Sequence, residues 1–287
     1  MEEATVPHVT LRELRAVWFQ VTGTLCNLSC RHCFNASGPK EPWLAALDAG
    51  LVRRYLAEAD GLGVREIYFT GGEPFLHREL LALLRDALAV APTTVLTNGT
   101  LIDDAMADRL AALAAESAYS LEIRISVDAA TAADNDAVRG QGSFARAIGA
   151  ARRLAARELW PIVTATEIAG TSDGRPLYDR LHEMLLEAGV GRPRIKILPV
   201  LPLGRCADGG ASRLLSAAAL EGFDDTRLPC ATTRVVADGG VYACPILAGL
   251  PSARLGEGPL AGALGPAPLS HPACVTCWAT GLTCGNT

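Results

Sequence analysis

Three thiols spaced four and three residues apart dominate the chemistry available to this chain: Cys26, Cys30 and Cys33 in the run Cys26-Asn27-Leu28-Ser29-Cys30-Arg31-His32-Cys33. They follow an apolar stretch, Ala16 to Val21, that reads as a strand. A tight loop of three thiolates can hold three irons of a cubane cluster, and such clusters ordinarily take four cysteines. The fourth iron is then left for a small molecule to chelate. Structural zinc is the alternative, but zinc sites usually pair one Cys-x2-Cys with a second pair to close a tetrahedron. No second pair lies near this loop. A disulfide reading fails on the odd number and on the compartment argued below.

The elements that must position these thiols alternate. Trp43, Leu44, Leu47, Leu51, Val52, Tyr55 and Leu56 recur at helical spacing, and Gly61-Leu62-Gly63 closes that helix. Further strands are predicted over Glu66 to Phe69, Thr94 to Thr97, Leu121 to Val127, Pro161 to Thr166 and Arg194 to Val200. Helices are predicted from about Leu76 to Val90, Ile102 to Ala115, Ser143 to Arg157 and Leu177 to Ala188. Six strands alternating with helices pair in parallel through right-handed crossovers. The expected fold is α/β, a partial (β/α)6 TIM-like barrel with a small Cys-rich C-terminal extension. Residues 1–15 form a lead-in, 16–205 the barrel and 206–287 the extension.

Active sites of parallel α/β folds lie at the carboxyl ends of the strands. Polar residues recur there: Thr70-Gly71-Gly72-Glu73-Pro74, Thr97-Asn98-Gly99, Ser126-Val127-Asp128 and Thr164-Ala165-Thr166-Glu167. Five successive strand ends, counting the cysteine loop, thus carry polar chemistry on one rim.

The Cys-x3-Cys-x2-Cys loop and the Gly-Gly-Glu-Pro run together resemble the radical S-adenosylmethionine (SAM) superfamily over residues 16 to about 205. His32 departs from the aromatic residue that family usually carries before its third cysteine. The resemblance implies a 4Fe–4S cluster with one open iron, ligated by Cys26, Cys30 and Cys33, with SAM bound on that iron. It implies that Gly71, Gly72, Glu73 and Pro74 take the aminoacyl end of SAM, Glu73 accepting from the ammonium. Ser126 and Asp128 match ribose-binding positions, Asn98 and Thr166 point toward the same cavity, and Arg139 matches an arginine that contacts SAM. The plain structural alternatives are a βα turn at Gly71 to Pro74, helix capping by Asp128, and a solvated surface arginine at Arg139. The implied chemistry is one-electron cleavage of the sulfonium to a 5′-deoxyadenosyl radical that takes a hydrogen atom from substrate. It needs a dry cavity and an external electron donor such as flavodoxin or ferredoxin.

Past Val200 the periodicity gives way to Pro, Gly and more cysteines. Cys230, Cys244, Cys274 and Cys277 resemble the ligand set of a SPASM or twitch extension holding a second, auxiliary 4Fe–4S cluster. Cys284 is a possible substitute ligand, and a zinc ribbon is the alternative. Cys206, just beyond the sixth strand, is expected at the cavity mouth as a hydrogen-atom donor, with Cys284 or Cys244 in its place. The plain alternative is an inert core thiol.

The totals bound the function. The chain of 287 residues has a net charge of −5 and no broad basic surface for nucleic acid. Its apolar runs are too short to span a bilayer, and its acidic start, Met1-Glu2-Glu3, lacks a signal peptide's apolar core. A cytoplasmic enzyme is expected, so nine cysteines speak for metal or catalysis rather than disulfides. The favoured reaction is epimerisation of a small-molecule natural product of the sugar, aminocyclitol or aminoglycoside type, because spare cysteines outnumber cluster requirements. Alcohol dehydrogenation using the auxiliary cluster and peptide (RiPP) maturation are the alternatives, the latter weakened by a lead-in too short for a leader-binding domain. A non-catalytic iron–sulfur scaffold is disfavoured by the intact SAM-binding constellation.

Overall fold

A computed structural model describes residues 6–40, 42–167, 174–207 and 214–281. The short strand β1 (His8–Val9) precedes the repeating unit. That unit runs β2 (Ala16–Gln20), α1 (Ala49–Gly61), β3 (Glu66–Thr70), α2 (Leu80–Leu88), β4 (Thr93–Thr97), α3 (Asp104–Glu116) and β5 (Leu121–Ser126). It continues with α4 (Ala132–Arg139), α5 (Ser143–Ala155), β6 (Ile162–Glu167), α6 (Leu177–Glu187) and β7 (Arg194–Pro199). Strands β2 to β7 pair in parallel, neighbour with neighbour, forming the expected six-stranded partial barrel.

Alternate strand residues serve opposite faces. Val17, Phe19, Ile67, Phe69, Val95, Ile123 and Ile125 are buried with Leu83, Leu84, Leu110 and Leu154 of the covering helices. On the other face Trp18 stands opposite Tyr68, their rings stacked at 4.0 Å and 6°. The parallel direction of all six strands sends their carboxyl ends, and the polar residues there, to one rim.

The chain past Val200 differs from expectation. Strand β8 (Thr233–Ala237) lies parallel to β2, with Val235 opposite Trp18. Strands β9 (Gly240–Tyr242) and β10 (Arg254–Gly256) follow antiparallel, so one sheet runs β10-β9-β8-β2-β3-β4-β5-β6-β7. The cysteine-rich region is therefore continuous with the barrel sheet. Strand β11 (Ala267–Pro268) pairs with β1, tying the lead-in to that region, and α7 (Pro272–Thr280) follows. Among the described residues no helix is long and apolar enough to cross a membrane.

Helix α2 starts at Leu80 rather than near Leu76, after a separate 3-10 turn over Pro74–Leu76, and two more helices depart from the periodicity. Helix α1 starts at Ala49 rather than near Trp43, because Asp48 caps it by accepting from the Gly50 and Leu51 amides. Leu44 is instead drawn toward the cysteine loop, its amide donating to Thr24 Oγ1 at 3.1 Å. Helix α4 was not expected, since it buries Asn135 and Arg139 in place of an apolar stripe.

Tyr68 is fully buried and stacked. Tyr68→Ala is expected to lower the stability read from chemical denaturation by about 3 kcal/mol. Tyr119→Ala, at a half-exposed position, should stay within about 0.5 kcal/mol.

Candidate active site

The loop that carries Cys26, Cys30 and Cys33 has no regular secondary structure and is held by its neighbours. The Cys26 amide donates to Gly38 O at 3.0 Å, and the Gly38 amide donates to Thr24 O at 3.1 Å. From the end of β3, the Gly72 and Glu73 amides donate to Gly23 O and Leu25 O, both at 2.9 Å. Gly72 makes this approach possible: a Cβ there would lie 2.2 Å from Leu25 O and 2.9 Å from the Cys26 Cβ. From α4, Val138 O accepts the Arg31 amide at 2.9 Å.

All three thiols line one cavity of about 1130 Å³, counting its solvent-open mouth. Amides approach two of the sulfurs, Leu28 N at 3.4 Å from Cys26 Sγ and Ser37 N at 3.3 Å from Cys33 Sγ. Burial pushes the Cys26 thiol up to about 11 and raises that of Cys30. Deprotonated sulfurs here therefore need a cation, and N–H groups pointed at sulfur are a recognised means of tuning a thiolate-bound cluster. Two further groups lining the cavity, Ser37 Oγ and Thr164 Oγ1, are buried without a hydrogen-bond partner. The donor set and these unsatisfied oxygens fit a thiolate-bound cluster with a polar ligand beside it.

The strand ends bring Gly71, Gly72, Asn98, Ser126 and Thr166 to this cavity, and the end of α4 brings Arg139. Arg139 is buried, not a solvated surface residue: its guanidinium forms an ion pair with Asp128, with Nε 2.6 Å from Oδ2. Three expected ligands stand elsewhere. Glu73 is fully buried behind the lining, accepting at Oε1 from the Phe75 amide (3.0 Å) and Thr97 Oγ1 (2.7 Å) and at Oε2 from the Asn98 amide (2.8 Å). Its carboxyl group ties the ends of β3 and β4 together. Burial outweighs those bonds and pushes its pKa to about 7. Pro74 opens a short 3-10 turn over Pro74–Leu76, also outside the lining.

Asp128, expected at the ribose, is likewise committed within the protein. Besides Arg139 it accepts the Thr166 amide at 2.8 Å, and its Oδ2 lies 3.2 Å from Nε2 of His32. Nor does it cap α4, a task taken by Thr131. The residue that departs from the family pattern, His32, is thus seated on the end of β5.

Sequence reasoning missed Arg205. Its guanidinium donates to Cys30 O (2.8 Å), Ser37 O (2.7 Å) and Ala36 O (3.2 Å), and its amide donates to Cys33 O (3.0 Å). The adjacent Gly204 allows the approach, at φ +59 with Phe34 O only 2.3 Å from where a Cβ would sit. A glycine–arginine pair at a strand end was the available signal. Cys206, the next residue, does not line the cavity. The chain here is held against the cysteine loop by Arg205, and the Cys206 thiol is close enough to Cys33 to interact with it electrostatically.

A second, small cavity of about 330 Å³ is lined by Cys230, Cys244, Cys274 and Cys277 amid Leu228, Ile246, Leu247 and Leu269. Cys274 and Cys277 share one face of α7. Among the described residues no three His, Cys, Asp or Glu side chains close on a single ion. Four thiols around one cavity are the ligand number of an iron–sulfur cluster. Cys244 belongs to this cavity and not to the first. Cys284 lies outside the described residues.

Comparison with known proteins bears on the family and the fold. The profile of the Radical SAM superfamily matches residues 21–173. Mycofactocin maturase MftC of Mycobacterium ulcerans is 33% identical over 189 residues, covering 64% of this chain and 47% of the relative. A probable GTP 3′,8-cyclase of Methanopyrus kandleri is 36% identical over 98 residues, covering 34% of this chain and 31% of the relative. This chain thus spans less than half the length of either. Among solved structures, Streptococcus suis SuiB bound to precursor peptide SuiA shares the fold at TM-score 0.63 and 16% identity, covering 85% of this chain and 62% of that one.

The Arg205 clamp is testable by iron release. Charge-assisted hydrogen bonds are worth about 1.5–3 kcal/mol each, so Arg205→Ala should speed chelator-driven loss of iron from the Cys26, Cys30 and Cys33 site about tenfold or more. An unchanged release rate would make the clamp irrelevant to the loop.

Proposed function

The chain belongs to the radical SAM superfamily, and on that footing we propose that it is a peptide-modifying radical enzyme. The family uses a 4Fe–4S cluster and SAM, and SPASM-type relatives carry auxiliary clusters. Cys26, Cys30 and Cys33 would hold the first cluster, while Cys230, Cys244, Cys274 and Cys277 would hold the auxiliary one. When bound, the first cluster and SAM supply a carbon radical able to take a hydrogen atom, and the auxiliary cluster supplies a one-electron acceptor. The backbone at Gly71 and Gly72, with Asn98, Ser126, Thr166 and Arg139, would orient SAM, and a substrate seated over the cavity mouth would keep water from the reacting carbon. A flavodoxin- or ferredoxin-like protein would provide the electron.

The observation that carries the peptide reading is that the last strand of the sheet among the described residues, β7, stands beside the cavity. Among the described residues β7 pairs only with β6, and its end, Leu198 and Pro199 with Leu201 beyond, lines the cavity. An exposed strand edge can take an extended peptide through main-chain hydrogen bonds, and a sugar offers no such pairing. The likeness to maturases of the MftC type supports the same reading. The epimerase reading rested on a spare thiol facing substrate. Among the described residues the cavity holds no cysteine beyond Cys26, Cys30 and Cys33.

Anaerobically loaded protein, SAM, a strong reductant and candidate short peptides encoded beside the gene form the test. Release of 5′-deoxyadenosine should rise about tenfold or more with the right peptide, a barrier effect of about 1.4 kcal/mol. The peptide should lose hydrogen or carry a new crosslink by mass spectrometry. Stimulation by aminocyclitols or sugars and by no peptide would contradict the proposal, and deuterium uptake from D2O at one carbon would restore epimerisation.

A further inference from the structure

Beside the second set of thiols stands a buried arginine that no acid among the described residues neutralises. Arg234, on β8, is fully buried. Its guanidinium donates to four backbone carbonyls: Thr233 O and Gly265 O at 2.7 Å, Cys230 O and Ala263 O at 2.8 Å. Among the described residues, the charged neighbours acting on it are the thiols of Cys230 and Cys244, with no carboxylate. A guanidinium keeps its proton even where it is buried.

An unpaired buried cation costs several kcal/mol, and carbonyl dipoles offset only part of that. An apolar residue of similar size would fill the position without that cost. What the position lacks is an anion, and the adjoining cavity can provide one. Four thiolates carry more negative charge than an iron–sulfur core carries positive, so the loaded site is anionic. Its walls, apart from sulfur, are the apolar Leu228, Ile246, Leu247 and Leu269, and they screen little.

We propose that Arg234 is the counter-cation of the auxiliary site, retaining the thiolate-bound cluster in its apolar cavity and raising its reduction potential. The potential of such clusters follows net charge, hydrogen bonds to sulfur and solvent exposure. One electron taken from an added reductant makes the cluster more negative, so a fixed cation beside it stabilises the reduced form more than the oxidised one. Arg234 is in this sense a positioning residue that touches no substrate. The proposal rests on the auxiliary-cluster assignment and is independent of what the substrate is.

The test uses the full chain with Cys26, Cys30 and Cys33 all changed to Ala, so that remaining iron belongs to the C-terminal site. Arg234, Arg234→Lys and Arg234→Gln are compared by iron content and by dithionite titration followed with electron paramagnetic resonance. Lys keeps the charge and should keep both the iron and most of the potential. Gln keeps hydrogen-bonding capacity without charge and should weaken reduction about tenfold, a shift of about 59 mV to more negative potential for one electron. Failure of the Gln variant to hold iron, beside a fully loaded Lys variant, would equally support the charge. Unmoved potentials in both variants, or equal loss of iron from both, would overturn the proposal and reduce Arg234 to a brace for carbonyls. A parent chain without iron would remove the auxiliary cluster itself, and with it this proposal, while leaving the peptide chemistry to stand or fall alone.

Discussion

The structure depends on holding an irregular loop still from outside. A loop bearing three thiols cannot brace itself with a ladder of its own, and three thiolates repel one another. Here the bracing comes from the ends of other elements. Amides after β3 reach Gly23 O and Leu25 O, Val138 O in α4 accepts the Arg31 amide, and Arg205 beyond β7 gathers the carbonyls of Cys30, Ala36 and Ser37. Parallel register makes this possible, since it brings every strand's carboxyl end to one rim. Gly72 and Gly204 make it tight, because a side chain at either would collide with loop carbonyls.

A second layer of buried charge lies beneath that rim. Asp128 gathers Arg139, the Thr166 amide and the ring of His32 at one point. Glu73 does comparable work between β3 and β4, joining Thr97, Asn98 and the turn at Phe75. Both carboxylates support residues that line the cavity while standing outside the lining. For Asp128, removing Arg139 would leave an uncompensated buried charge, which is more costly than the net worth of the pair.

Much of this was legible in the sequence. The thiol triplet, the glycine pair and the six alternating strands follow from spacing and periodicity, which are local properties. What escaped was non-local. Helix α4 has no apolar stripe because it packs Asn135 and Arg139 inward. Strand β8 was hidden by an arginine among its valines, and its place beside β2 is fixed by a pairing more than two hundred residues apart in sequence. Arg205 and the partners of Asp128 are set by which strand ends meet, which residue type alone cannot show. Glu73, Pro74 and Asp128 were located correctly at strand ends, but their side chains serve neighbouring strands and turns and do not line the cavity.

The central claim is that three cysteines leave one iron uncapped, so that SAM can occupy it. Electron–nuclear double resonance on the reduced, anaerobically prepared protein, with SAM isotopically labelled in its amino and carboxylate groups, measures this directly. The account predicts hyperfine coupling between those labels and the cluster spin, abolished when Cys26, Cys30 and Cys33 are replaced. Zinc in place of iron, or a cluster with no coupling to bound SAM, would contradict it.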